Sequence, residues 1–96
     1  MAVYVDDPVW RHRGRLFCHL VADSTEELEG FARRLGLREE WLQTKPGRPW
    51  HDHYDLPDWA RPRAVTLGAL ELTTREMGAH LARRRRDERL SGRASG

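Results

Sequence analysis

Apolar and polar positions fall into short blocks whose period changes along the chain, and those changes predict the elements. Ala2 to Val5 is a β-branched and aromatic run stopped by Asp6, Asp7 and Pro8, a strand followed by an abrupt turn. Val9 to Arg15 is polar and basic, with Gly14 as a turn residue, and is expected to be a mobile loop. From Leu16 to Ala22, Leu16, Cys18, Leu20 and Ala22 take one side of a second strand and Phe17, His19 and Val21 the other. Apolar residues on both sides predict a strand covered on both faces. Ser24 and Glu27 form a capping box, and Leu28, Phe31, Ala32 and Leu35 then recur at helical spacing until Gly36 closes the helix.

Beyond Leu37, the segment through Trp41, Leu42 and Gln43 is expected to be a third strand, and Pro46, Gly47 and Pro49 make the next stretch a loop. Trp50 to Asp55, bounded by Pro49 and Pro57, is extended or looped; if extended, it places His51, His53 and Asp55 on one side. A helix follows with Pro62 in its first turn, then a fourth short strand over Ala69 to Leu72. Thr73 and Glu76 cap a last helix carrying Met77 and Leu81, which runs into a cluster of arginines. Strands alternating with helices predict an α/β fold: a mainly parallel sheet of about four strands flanked by about three helices. An α+β fold with an antiparallel first pair is the alternative.

Length and composition narrow this further. Ninety-six residues make one domain with a modest core, unless a second copy of the chain contributes to it. No apolar run approaches the ~20 residues of a membrane helix, and acids stand near the N-terminus where a secretory signal carries positive charge. A cytoplasmic protein without a membrane partner is expected. One cysteine, Cys18, excludes an internal disulfide and a multi-cysteine zinc site, and its apolar neighbours predict a buried, inert thiol. The net charge of +2 conceals an asymmetry, because six arginines follow Ala82 against only Asp87 and Glu88. The domain is therefore placed at residues 1–82 and a basic, disordered tail at 83–96. Arg83, Arg84, Arg85 and Arg86 can neutralise nucleic-acid phosphates, or can simply be a solvated helix end.

Candidate chemistry concentrates between Trp50 and Asp55, which holds two of the five histidines. Imidazole nitrogens and carboxylate oxygens are the metal ligands that remain in the absence of a cysteine set. His53 and Asp55 can bind a divalent metal directly, with Asp6 or Asp7 and His19 arriving from other strand ends; without metal, His53 can act as a general base. The plainer alternative is a loop pinned by hydrogen bonds of His53, Tyr54 and Asp55. Asp6 and Asp7 can likewise hold a cation, act as acid and base, or merely initiate a turn before Pro8. Arg11, Arg13 and Arg15 with Trp10 and His12 can meet a phosphate or stack on a base, or remain solvated surface. No His-Glu-x-x-His helix, Gly-x-Ser-x-Gly elbow, Walker lysine pattern or Gly-x-Gly-x-x-Gly turn is present.

Several stretches taken together resemble a family of small bacterial and phage proteins, a domain of unknown function. They are Val3-Tyr4-Val5-Asp6-Asp7, His19-Leu20-Val21-Ala22-Asp23, Glu27-Leu28, Phe31-Ala32, Leu35-Gly36, Trp41 with Gln43, His53-Tyr54-Asp55-Leu56, and Arg61 with Ala64, Gly68 and Ala69. The resemblance supplies a pattern and no activity. It implies that Asp6, Asp7, His19, Asp23, Gln43, His53, Tyr54, Asp55 and Arg61 are shared polar positions, whereas His12, His51, Asp52 and the arginine tail fall outside. His51 is thereby set below His53.

The resulting expectation is a small metal-assisted or histidine-based hydrolase of a phosphate-bearing substrate, a nucleotide or nucleic acid. Its catalytic set is Asp6, Asp7, His19, His53, Asp55 and Arg61; its metal ligands are His19, His53, Asp6 and Asp55, and Arg61 holds the phosphate. The alternative is a non-enzymatic nucleic-acid or protein-binding module that uses the arginine-rich loop and tail.

Overall fold

The computed structural model describes residues 2–95, with side chains through Leu90. Strand β3 (Arg15–Ala22) is the spine of a five-stranded sheet. Along one of its edges lie strands β1 (Val3–Val5) and β2 (Trp10–His12), both antiparallel to it, with Val5 opposite Leu20 and Trp10 opposite Phe17. They form one hairpin arm, broken where Asp6, Asp7 and Pro8 interrupt the ladder. Strand β4 (Tyr54–Pro57) runs antiparallel along the other edge of β3. Strand β5 (Leu70–Glu71) pairs parallel with β1, the one parallel pairing among the described residues.

The sheet is thus mixed and mostly antiparallel, which corrects the mainly parallel arrangement expected from alternation. Two elements account for the error. The expected third strand is a 3₁₀ turn at Glu39–Trp41, followed only by an isolated bridge between Gln43 and His53. The expected mobile loop over Val9 to Arg15 is a hairpin closed by Arg13 and Gly14, both at positive φ (51° and 77°). That geometry suits a two-residue hairpin turn, but its usual sequence mark is Asn-Gly, and Arg-Gly gives no such signal.

Helix α1 (Thr25–Leu35) follows its sequence signals: the Ser24 hydroxyl accepts the Glu27 N–H, and Gly36 at φ 84° lets the Leu37 N–H reach the Ala32 carbonyl at 2.9 Å. It buries Leu28, Phe31 and Ala32 against the sheet face that carries Val5, Cys18, Leu20, Tyr54 and Leu56. Each fully buried large apolar side chain contributes about 1.5–3 kcal/mol, so this face holds most of the core. The short helix α2 (Arg61–Thr66) adds Ala64 to the same layer.

Helix α3 (Thr74–Ser95) covers part of the opposite face. Its capping box closes as expected, with Thr73 N–H to Glu76 Oε1 at 2.9 Å and Glu76 N–H to Thr73 Oγ1 at 3.1 Å. His80 packs on Tyr4 with ring centroids 4.5 Å apart, and Met77 is buried. The helix continues through the arginines, so a boundary at residue 82 falls inside it. Arg84 is buried and donates to the carbonyls of Ala22 (3.0 Å) and Pro49 (3.3 Å), an anchor and not a tail residue. The disorder expected of Ser91 to Gly96 falls on residues whose side chains lie outside the described part. Among the described residues no helix is long and apolar enough to cross a membrane.

Candidate metal centre

Three adjacent strands bring a row of side chains to the face beneath α3. Asp6 follows the last paired residue of β1, His19 lies beside it on β3, and Asp55 on β4 is the direct partner of His19. Cross-strand partners project from the same side of an antiparallel pair, so all three meet. Where β1 ends, the Asp6 carboxylate takes the place of a strand carbonyl. Its Oδ1 accepts the His19 backbone N–H at 2.6 Å and its Oδ2 accepts the His19 Nδ1–H at 2.8 Å. Asp6 is only 3% exposed. A carboxylate can only accept, so Nδ1 carries the proton and Nε2 of neutral His19 points its lone pair away from Asp6. The hydrogen bond to Asp6 raises the His19 pKa above its ordinary value against the opposing effect of burial.

His53 stands two residues before Asp55 and so shares its side of the strand. The Gln43 bridge fixes its backbone (Gln43 N–H to His53 O 2.8 Å, His53 N–H to Gln43 O 3.2 Å), and its Nδ1–H donates to the His51 carbonyl at 2.8 Å. Again Nε2 is left with the lone pair, and it lies 3.4 Å from Asp55 Oδ1. Two acceptors at that distance call for a cation between them, a proton or a metal ion. Ligands about 2.1 Å from a tetrahedral metal stand about 3.4 Å apart, so the spacing suits both. One ligand atom from each of His19, His53 and Asp55 lies within 4.8 Å of the other two. Each imidazole has its second nitrogen pinned, one by a carboxylate and one by a backbone carbonyl, the outer support that metal-ligating histidines characteristically have.

A cavity of about 220 Å³ opens between this row and α3, lined by Asp6, His19, Val21, His51, His53, Thr74, Met77 and Leu81. It is apolar on the helix side and polar on the sheet side. His51, set aside in the sequence, is part of its wall; its Nδ1 is buried with no hydrogen-bond partner, and burial together with nearby His53 lowers its pKa. His51 sits in a 3₁₀ turn (Pro49–His51), where its direction cannot be taken from strand alternation. Met77 and Leu81, four apart on α3, were legible as an apolar stripe but not as a cavity wall.

The other candidates stand around this group. Asp6 supports His19 from behind and is not among the three convergent ligands. Asp7 belongs to the turn, its carbonyl accepting the Val9 N–H at 2.9 Å. Arg61 donates Nε–H to the Asp6 carbonyl at 2.9 Å and NH1–H to Glu71 Oε1 at 2.8 Å, joining the end of β1 to β5. Its guanidinium is thus turned to Asp6 and Glu71. Asp52 is buried and accepts the Thr25 hydroxyl at 2.6 Å, and Asp23 accepts the Ala2 N–H at 2.8 Å and the Tyr4 hydroxyl at 3.0 Å. Cys18 lies on the core face, where burial pushes its thiol pKa up to about 12.

A second concavity, about 350 Å³, is lined by Gly47, Arg48, Trp50, Arg85, Glu88 and Arg89. Three arginines outweigh one glutamate there, and the Arg85 guanidinium lies 5.5 Å from the centre of the Trp50 ring. Sequence position separates Arg48 from the helical arginines by more than thirty residues, and only the packing of α3 on Pro49–His51 unites them.

No curated protein and no solved structure matches the chain. One family model does, over residues 3–84, and it takes in β1, the His19 strand, the His53–Asp55 segment and α3 as far as Arg84. The chain belongs to the family described as Protein of unknown function (DUF4031).

Proposed function

We propose that the chain binds one divalent metal ion through His19, His53 and Asp55 and uses it to hydrolyse a phosphate-bearing substrate, a nucleotide or nucleic acid. The observation that carries this reading is the convergence of a carboxylate with two imidazoles whose far sides are already fixed. Two nitrogens and an oxygen favour zinc, manganese or iron over magnesium, which prefers all-oxygen surroundings. Three protein ligands leave a position for water, whose pKa falls toward neutrality when it is bound there. An ion held by His19, His53 and Asp55 would supply a deprotonated water whose oxygen would bond to phosphorus, while the bond from phosphorus to the leaving oxygen would break and that oxygen would take a proton from solvent. Asp6 keeps the Nε2 lone pair of His19 available.

The decisive measurement is calorimetry with Zn²⁺ and Mn²⁺ alongside release of nitrophenol from bis(p-nitrophenyl) phosphate. One ion per chain should bind, His53→Ala should abolish binding, and phosphodiester cleavage should require the ion. Equal metal affinity in the wild type and His53→Ala, or no binding at micromolar concentration, would overturn the proposal. The second reading, a non-enzymatic binding module, draws on the arginine-lined concavity; it predicts ligand binding with no metal and no turnover.

A further inference from the structure

The metal ligands are the middle of a longer row of rings. Trp50 and His51 have centroids 5.6 Å apart, His51 and His53 5.2 Å, His53 and His19 5.4 Å, His19 and Trp10 6.4 Å, and Trp10 and His12 5.7 Å. At one end Trp50 passes to Arg85, with Arg48 and Arg89 in the same concavity. The other end is the β2–β3 hairpin, where Arg15 shares the Phe17 and His19 side of β3 and pairs with His12, and Arg13 occupies the turn. Positive charge therefore flanks both ends; the rings toward the hairpin are open to solvent, Trp10 being 41% exposed and His12 exposed, while His51 and His53 stand half-buried and edge-on at the middle of the row.

We infer that this row is the track of a single-stranded nucleic acid, with phosphates held by Arg48, Arg85 and Arg89 at one end and by the hairpin arginines at the other. The inference rests on the metal-centre reading for where the scissile phosphodiester lies, midway along the track. Ring faces can stack only on bases that are unpaired, while guanidinium groups track the backbone, and this combination recognises single strands without regard to sequence. Five ring-to-ring steps span on the order of four nucleotides, the lower end of known single-strand site sizes. A duplex would offer its phosphates to the arginines but nothing to the rings, and an acidic peptide likewise.

The test is anisotropy of a fluorescein-labelled twelve-nucleotide oligothymidylate with the full chain, in EDTA so that metal plays no part. Binding should be present at 50 mM salt and about 50-fold weaker at 200 mM, as expected for about four neutralised phosphates on a single strand. Arg85→Glu with Arg89→Glu should weaken it at least 10-fold, and Trp10→Ala about 30-fold, the middle of the range for removing one stacking ring. Arg33→Glu with Arg63→Glu, exposed on the helices of the opposite layer, should change it less than 2-fold. The inference is overturned if the oligonucleotide does not bind, if both double variants lose affinity equally, or if a duplex or polyglutamate of equal charge competes as well as the single strand. A metal titration that fails while oligonucleotide binding stands would remove only the metal centre, and the reverse pattern would remove only the track.

Discussion

Asp6 holds His19 at two points, one carboxylate oxygen on its backbone N–H at 2.6 Å and the other on its Nδ1–H at 2.8 Å. The same acid therefore ends β1, completes the ladder of β3 and selects the tautomer of the imidazole. In Asp6→Asn the amide oxygen can replace only one of these acceptors, and its NH₂ must then face Nδ1, which forces the His19 proton to Nε2. Stability should fall by about 1–3 kcal/mol, because two hydrogen bonds to a charged acceptor give way to neutral ones. Metal affinity should fall about 10- to 100-fold, as for loss of other carboxylates behind a ligating histidine. Thermal melting reads the first effect and calorimetry the second; unchanged affinity would show that Asp6 has no influence on Nε2.

His19 and His80 should give opposite pH dependences. His19 has a raised pKa in the fold because of Asp6, so its protonated form is stabilised by folding; that contribution is fully present below the unfolded value of about 6.5 and is lost as pH rises through the folded value. His80 has a lowered pKa, from burial between α3 and the sheet, so the unfolded chain takes up its proton first and stability is lost as pH falls below about 6.5. Urea midpoints from pH 8 to pH 5 should show His80→Leu losing less stability on acidification than the wild type, by a slope of up to about 1.4 kcal/mol per pH unit. His19→Gln should show the reverse. Parallel curves for His80→Leu and wild type would remove His80 from the acid response.

What the chain revealed in advance was local. Ser24, Glu27 and Gly36 mark both ends of α1, and Thr73 with Glu76 marks the start of α3, because capping is a matter between residues a few positions apart. His19, His53 and Asp55 were legible as candidates by residue type and by their place beside apolar runs. Their meeting depends on the register that sets His19 opposite Asp55, a pairing between residues thirty-six apart that no local signal encodes. The antiparallel first pair stood only in the α+β alternative, and the mostly antiparallel sheet was not the leading expectation for a related reason: Trp41, Leu42 and Gln43 have strand-like composition, yet only Gln43 finds a partner, in His53. The burial of Arg84 also runs against composition, since four consecutive arginines read as a solvated run unless the carbonyls of Ala22 and Pro49 are known to lie beneath.

Cys18 should be inert in the native protein. It is 1% exposed, on the core face between residues that pair with both neighbouring strands, and its thiol pKa near 12 leaves about 10⁻⁴ of it ionised at pH 8. Reaction with a disulfide reagent should therefore follow the opening of the domain and accelerate sharply only near the unfolding midpoint in urea. Rapid stoichiometric labelling without denaturant would place Cys18 outside the core.

Arg84 is the tie between α3 and the rest of the domain, because its two amino groups reach carbonyls at the end of β3 and in the Pro49–His51 turn. Arg84→Met keeps most of the buried stem but leaves both carbonyls without that donor, a loss of about 2 kcal/mol. For a domain of this size that corresponds to a fall in Tm of roughly 10 °C. Hydrogen exchange should rise first in α3 from Met77 onward, since that helix alone loses its anchor, while the strands that carry His19 and Asp55 remain protected. Metal affinity should then be kept, the ligands all lying on the sheet side, and Arg86→Ala on the exposed surface of the same helix should change stability by less than about 0.5 kcal/mol. An equal loss of protection in β3 and α3 would mean that α3 unfolds only with the whole domain and does not act as a separable cover over the site.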